Sequence, residues 1–189
     1  MKKLFSILLI SLLYCGTIIA QSATEFPAMD KSPMDMSYYP ANYPSLKIQN
    51  KITESLVARV IYSRPQKSGR VIFGGLVEYG KVWRLGANEA TEIEFYKHVR
   101  IGGKKISKGR YTLYAIPYED KWTIILNKET DIWGAFKYDP KKDVVRVDTQ
   151  VQKNNDQLEA LAIIFEKTTE GADLVIGWDT VKVSLPVTF

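Results

Sequence analysis

Glu92-Ile93-Glu94-Phe95-Tyr96-Lys97-His98-Val99-Arg100-Ile101, followed by Gly102-Gly103, is the most informative run in the chain. Its odd positions hold Ile93, Phe95, Lys97, Val99 and Ile101, and its even positions hold Glu92, Glu94, Tyr96, His98 and Arg100. A repeat of two with one apolar side is the pattern of a β-strand that buries one face and wets the other. Gly102-Gly103 then predicts a hairpin turn, and Gly109 opens a second strand over Arg110–Pro117. Downstream, Tyr118-Glu119-Asp120-Lys121 reads as a turn before a strand over Trp122–Asn127, and Val145, Val147 and Val151 alternate with polar residues in a further one. Leu158–Glu166 and Ala172–Trp178 flank the turn Thr168-Thr169-Glu170-Gly171. Leu174, Ile176 and Trp178 are even and Val181, Val183 and Leu185 odd, so a bulge or break is expected at Asp179-Thr180.

No amphipathic helix stands out; at most Glu129–Gly134 makes a turn or two. Short strands at short intervals predict an all-β fold, a single-domain antiparallel β-sandwich of jelly-roll-like type over residues 46–189. Residues 21–45 differ. They carry Pro27, Pro33, Pro40 and Pro44 with Tyr38, Tyr39 and Tyr43, which predicts an extended Pro/Tyr/Met-rich N-terminal arm lying on the domain, neither helix nor central strand.

Lys2-Lys3, the apolar run from Leu4 and the small residue Ala20 form the pattern of a secretory signal peptide over residues 1–20. The rival, a retained membrane anchor, is disfavoured because the run is short for a span and no basic cluster follows it. A lipoprotein reading fails on Tyr14, which stands before Cys15 where a small residue is needed. The expected address is therefore the periplasm or the cell exterior, with no integral membrane segment left after cleavage.

The 189 residues are 46% hydrophobic and 25% charged, a globular composition. Cleavage would remove Lys2, Lys3 and the only cysteine, leaving 24 basic against 21 acidic groups, a formal +3. Such a chain has no disulfide, no thiolate metal site and no thiol nucleophile, and His98 alone could supply imidazole chemistry. A dispersed +3 is too weak to indicate nucleic acid.

Ala58-Arg59-Val60-Ile61-Tyr62-Ser63-Arg64-Pro65, Gly69-Arg70, Ile72-Phe73-Gly74-Gly75-Leu76-Val77, Tyr79-Gly80-Lys81-Val82-Trp83-Arg84 and Gly86-Ala87-Asn88-Glu89-Ala90-Thr91 occur in that order. With Ile101-Gly102-Gly103-Lys104, Gly109-Arg110-Tyr111-Thr112-Leu113 and Trp133-Gly134-Ala135, they resemble a secreted bacterial family, common among Bacteroidota, filed as domain of unknown function 2911. The resemblance spans roughly Lys47 to Pro186. It implies an exported all-β protein and brings no activity, substrate or cofactor with it. Leu85 departs from it, since a smaller residue such as threonine is expected there; a ligand-contacting role at that position would differ in this chain.

Trp83–Thr91 is the candidate site. Arg84, Asn88, Glu89 and Thr91 surround Gly86 where a strand would be apolar at every second residue. A guanidinium fork, a carboxamide and a carboxylate beside an aromatic ring suit a sugar, a carboxylate or a phosphate. Arg64 is expected to point to the same place. The competing reading is a closed polar network in which Glu89 pairs with Arg84 or Arg64 and Asn88 shapes a turn.

Met29, Met34 and Met36 all fall in the arm; thioethers are soft ligands for Cu(I), but the favoured reading is that they plug the arm onto the sandwich and hold no metal. His98 reads as exposed and non-catalytic, Trp122 and Trp178 as core, and Trp133 as the surface aromatic. Asp139-Pro140-Lys141-Lys142-Asp143 reads as a plain turn. Nucleophile-elbow, zinc-protease and phosphate-loop motifs are missing from the sequence, and no cofactor is called for.

The leading reading is a binding module for a small polar ligand or glycan around Arg64, Arg84, Asn88, Glu89, Thr91 and Trp133. The alternatives are a hydrolase or isomerase with Glu89 as general base, which lacks an identifiable second carboxylate, and a structural envelope-assembly protein using its arm or a sheet edge.

Overall fold

The alternation of Glu92–Ile101 survives into three dimensions, but as two strands in different sheets. A computed structural model describes residues 25–189; the signal-peptide reading of residues 1–20, Cys15 included, lies outside the described residues. In chain order the elements are β1 (Met34–Tyr39), α1 (Tyr43–Ile48), β2 (Ala58–Ser63), β3 (Glu92–Phe95), β4 (Val99–Ile101), β5 (Lys104–Ile106), β6 (Gly109–Pro117), β7 (Lys121–Asn127), β8 (Asp143–Gln150), β9 (Gln152–Lys167) and β10 (Gly171–Thr188). A 3₁₀ turn covers Pro140–Lys142, in the run read as a plain turn. One antiparallel sheet runs β1-β2-β3-β6-β7-β8 and the other β5-β4-β10-β9. Ile93, Phe95, Val99 and Ile101 all enter the core between the sheets. The crossing from β3 to β4 is the exposed run Tyr96–His98, and Lys97, the one charged residue on the apolar parity, marks the corner. Its ammonium lies 4.6 Å from the centre of the Phe189 ring.

Gly102 and Gly103 link Ile101 to its partner Lys104 with φ of 56° and 75°, as the two-residue hairpin required. The parity change near Asp179 is a bulge: the β9–β10 register shifts on both sides of Asp179, whose φ is 54°. Helix is sparse, as expected, but Glu129–Gly134 forms none.

The N-terminal segment is more regular than an arm. β1 pairs with β2 over six residues, Met34 opposite Ser63 through Tyr39 opposite Ala58, and is an edge strand with Pro33 and Pro40 just outside it. Pro44 sits in the first turn of α1, where a missing N–H leaves no helical bond unmade, so the proline did not preclude the helix. Tyr39 is buried against the Phe165 and Phe189 rings, which ties the segment down.

At one end of the core, Phe73, Trp83, Trp122 and Trp178 pack together, Trp83 and Trp178 stacked with ring centres 6.0 Å apart. Among the described residues no helix is long and apolar enough to cross a membrane.

Candidate functional site

Trp83 is where the chain gives up sheet pairing. Its backbone exchanges two hydrogen bonds with Ala115 of β6, after which Arg84–Ala90 loops out and returns at Thr91. The loop is closed from inside. The Trp83 Nε1–H donates to the Gly86 carbonyl (3.1 Å), the Thr91 N–H to the Arg84 carbonyl (3.1 Å), and the buried Thr91 hydroxyl to the Leu85 carbonyl (2.8 Å). Its outer limb is zipped to Ile132–Gly134 by Ala90 N–H to Ile132 O and Gly134 N–H to Asn88 O. A Cβ on Gly86 would stand 3.3 Å from the Ser63 carbonyl oxygen, so the close approach of loop to β2 leaves glycine little alternative. Leu85 and Asn88 both take left-handed backbone, φ 56° and 57°. Asparagine tolerates that region, whereas for leucine it is strained, of order 1 kcal/mol or more. Leu85 is wholly buried in the core, so its departure from the resembled pattern does not place it against a ligand.

Holding Leu85 inward turns Arg84 outward into a cleft. Arg84 is half-buried and, among the described residues, meets no carboxylate; its Nε is buried without a hydrogen-bond partner. Burial pushes its pKa below the usual arginine value, with no acidic neighbour acting the other way, although a guanidinium stays charged at any physiological pH. Two clefts share it. One, about 190 Å³, is lined by Ser32, Pro65, Arg70, Gly86, Ala87 and Trp178 together with Leu76, Val77, Trp83 and Arg84, and has no acidic side chain. The other, about 240 Å³, shares the last four and adds Glu78, Lys81, Val82, Ala135 and Phe136. Arg70 gives its Nε and Nη2 to the carbonyls of Lys67 and Gln66 and, among the described residues, pairs with no carboxylate either. The Ile72–Val77 loop builds the opposing wall: Ile72 and Val77 go into the core while Leu76 stays half-exposed.

The remaining candidates disperse. Arg64, expected beside Arg84, instead binds Asp35 of β1 at 3.0 Å and donates Nε–H to the Leu161 carbonyl. Glu89 is exposed, lines neither cleft, and among the described residues pairs with neither arginine, so the closed network does not form. Thr91 is fully buried and acts on the Leu85 carbonyl, and Asn88 shapes the turn. Trp133 is 61% exposed and bridges Glu89 through backbone, also outside both clefts.

Met34 and Met36 share the outer face of β1, each about half-exposed, their sulfurs accepting from the Ser63 and Tyr38 hydroxyls; Met29 is 89% exposed. None of the three is a buried plug. Among the described residues no cluster of three or more His, Asp or Glu could hold a metal ion. His98 is exposed; Trp122 and Trp178 are core. Two larger hollows of about 380 Å³ lie elsewhere, one between β1, α1 and β9 and one beside His98 and Phe189, but neither contains a buried side-chain nitrogen or oxygen left without a partner among the described residues.

The family described as "Protein of unknown function (DUF2911)" matches residues 44–187. The chain belongs to the DUF2911 family. No curated protein and no solved structure matches it. The DUF2911 match begins in α1 and runs almost to the end of β10, so it takes in the whole Arg84 loop, every residue lining its clefts except Ser32, and all but the first strand of the sandwich. Residues the sequence reading missed are Arg70, Leu76 and Phe136. One signal could have found two of them: Leu76 and Phe136 are large apolar residues in glycine-marked loops with no strand parity to bury them.

Proposed function

We propose that this DUF2911 chain is an exported binding module that holds a small anion through Arg84. One observation carries the reading: the half-buried Arg84 lines both clefts and, among the described residues, its guanidinium has neither a counter-charge nor a hydrogen-bond partner. An ordinary structural arginine has its fork filled, as Arg64 has with Asp35 and Leu161. A vacant fork presents fixed donors that match a carboxylate, phosphate or sulfate in two places at once. The acid-free lining of the smaller cleft supports the same sign of charge, and the strained backbone at Leu85 supports a loop kept for position over local stability.

The test is thermal unfolding of residues 21–189 against acetate, phosphate and sulfate, comparing wild type with Arg84→Lys and Arg84→Met. Binding to the folded state at a hundred times Kd stabilises by about 2.7 kcal/mol. The expected result is an anion-dependent rise in Tm that shrinks in Arg84→Lys and vanishes in Arg84→Met. Equal rises in all three proteins would refute a site at Arg84.

A further inference from the structure

We infer that the anion bound at Arg84 is a carboxylate carried on an apolar body, such as a medium-chain fatty acid, with its head on Arg84 in the cleft that Arg70 also lines and its tail over Leu76 and Phe136. The inference rests on the proposed anion site and goes further by assigning the ligand class. It follows from how the two clefts are joined. They meet at Arg84, and the wall they have in common is Leu76, Val77 and Trp83 beside that guanidinium. On the head side the lining holds Arg84 and Arg70 and no carboxylate, and of the two Arg84 is the one whose fork is unfilled, since Arg70 gives Nε and Nη2 to backbone carbonyls. On the tail side Val82, Ala135 and Phe136 extend the apolar surface, and one acidic and one basic residue, Glu78 and Lys81, also line it.

Phe136 is 85% exposed and Leu76 49% exposed, so both offer apolar surface to solvent with nothing of the described chain to cover it. A sugar would stack on an open tryptophan face, and neither cleft offers one. Trp83 and Trp178 are core rings with their faces packed, and Trp133 lies outside both clefts. A free inorganic anion would satisfy Arg84 and leave Leu76 and Phe136 in water. An amphiphilic monocarboxylate uses both halves, its two oxygens accepting from the guanidinium while its chain displaces water from the apolar wall.

The experiment is isothermal titration of residues 21–189 with acetate, butyrate, hexanoate and octanoate below micellar concentration, alongside hexanol and inorganic phosphate. Each added methylene that reaches the wall is expected to tighten binding about fourfold, from the transfer free energy of a buried methylene. Hexanol binds far more weakly than hexanoate, and Arg84→Met abolishes binding of the whole acid series. The double variant Leu76→Ser, Phe136→Ser, whose changes lie on exposed side chains, flattens the chain-length slope. Binding of acetate or phosphate as tightly as octanoate, lost in Arg84→Met, would leave the anion site standing and overturn the apolar tail. Octanoate binding that persists in Arg84→Met would mean adsorption to apolar surface and overturn the inference, and no binding by any anion would remove the site and the ligand together.

Discussion

Replacing Arg84 by methionine is expected to stabilise the protein, which is the reverse of what removing a scaffolding arginine does. The stem of methionine retains most of the apolar contact that the arginine methylenes make beside Trp83 and Val77, so the packing contribution changes little. The substitution removes a buried Nε–H with no acceptor and a charge with no counter-ion. A buried polar group left unsatisfied costs about 1–3 kcal/mol. The cleft keeps the outer nitrogens in contact with water, which places the gain at the low end, about 1 kcal/mol. For a domain of this size that is a rise in Tm of about 2–4 °C.

Arg59 supplies the control. Its Nε is also buried without a partner, but its Nη2 holds Glu94 at 2.6 Å across the β2–β3 pair. Arg59→Met leaves the part-buried Glu94 carboxylate with only the Tyr96 hydroxyl and is expected to cost up to about 1 kcal/mol, opposite in sign. The assay is urea unfolding at neutral pH and low salt of wild type, Arg84→Met and Arg59→Met, with m-values compared to establish that the unfolded states match. A loss of 1 kcal/mol or more in Arg84→Met would show that the guanidinium is bonded inside the fold, and the argument for a vacant donor would fail.

Two further outcomes follow from other parts of the loop and sheet. Thr91→Val keeps the shape but removes the donor to the Leu85 carbonyl, and is expected to cost about 1–3 kcal/mol in urea unfolding while also weakening anion binding, because the left-handed turn at Leu85 loses its internal tie; unchanged stability would mean the turn holds without it. Asp179, at the β10 bulge, has its pKa lowered: burial acts to raise it, but hydrogen bonds from Lys67 (2.7 Å) and Gln157 (2.7 Å) and the Lys67 charge outweigh that. Its folded value lies below its unfolded one, so its contribution is complete above about pH 4 and is lost as pH falls through the folded value; Asp179→Asn should lower stability at pH 7 and flatten the acid limb of a Tm–pH profile, and an unchanged acid limb would refute the assignment.

Strand content was legible because burial writes a repeat of two into the sequence, and every run named as a strand from Glu92 onward holds strand residues. What the repeat cannot carry is which sheet a strand joins. Ile93, Phe95, Val99 and Ile101 point into one core from opposite walls, so the alternation passes through the corner, and only Lys97 signalled it. The proline-rich segment was misjudged in degree: an edge strand needs backbone partners on one side alone, and a helix tolerates proline in its first turn.

The candidate site was legible only at Arg84. Composition put arginines, an asparagine and a glutamate within a few residues of Gly86, but proximity along a loop does not make them converge. Glu89 lies on the limb zipped to Ile132–Gly134, and Arg64 is drawn away by Asp35, a residue 29 positions earlier. Arg70, Leu76 and Phe136 reach Arg84 from separate loops, a closure that no local pattern encodes.

Two local costs then occur on adjacent residues, a left-handed leucine and an uncompensated arginine. They are coupled by geometry. Leu85 can reach the core only by turning the backbone, and that turn, fixed by Thr91 and Trp83, is what presents Arg84 at the junction of the clefts. If the loop served packing alone, a residue able to adopt the turn without strain and an apolar neighbour would hold the same core at lower cost. The loop is rooted in Trp83, which packs with Phe73, Trp122 and Trp178 at that end of the core. The same anchoring fixes the orientation of the guanidinium, so the proposed anion would bind with little ordering left to be done. Strain at Leu85 and vacancy at Arg84 are therefore two sides of one arrangement, and relieving either should improve folding while weakening recognition.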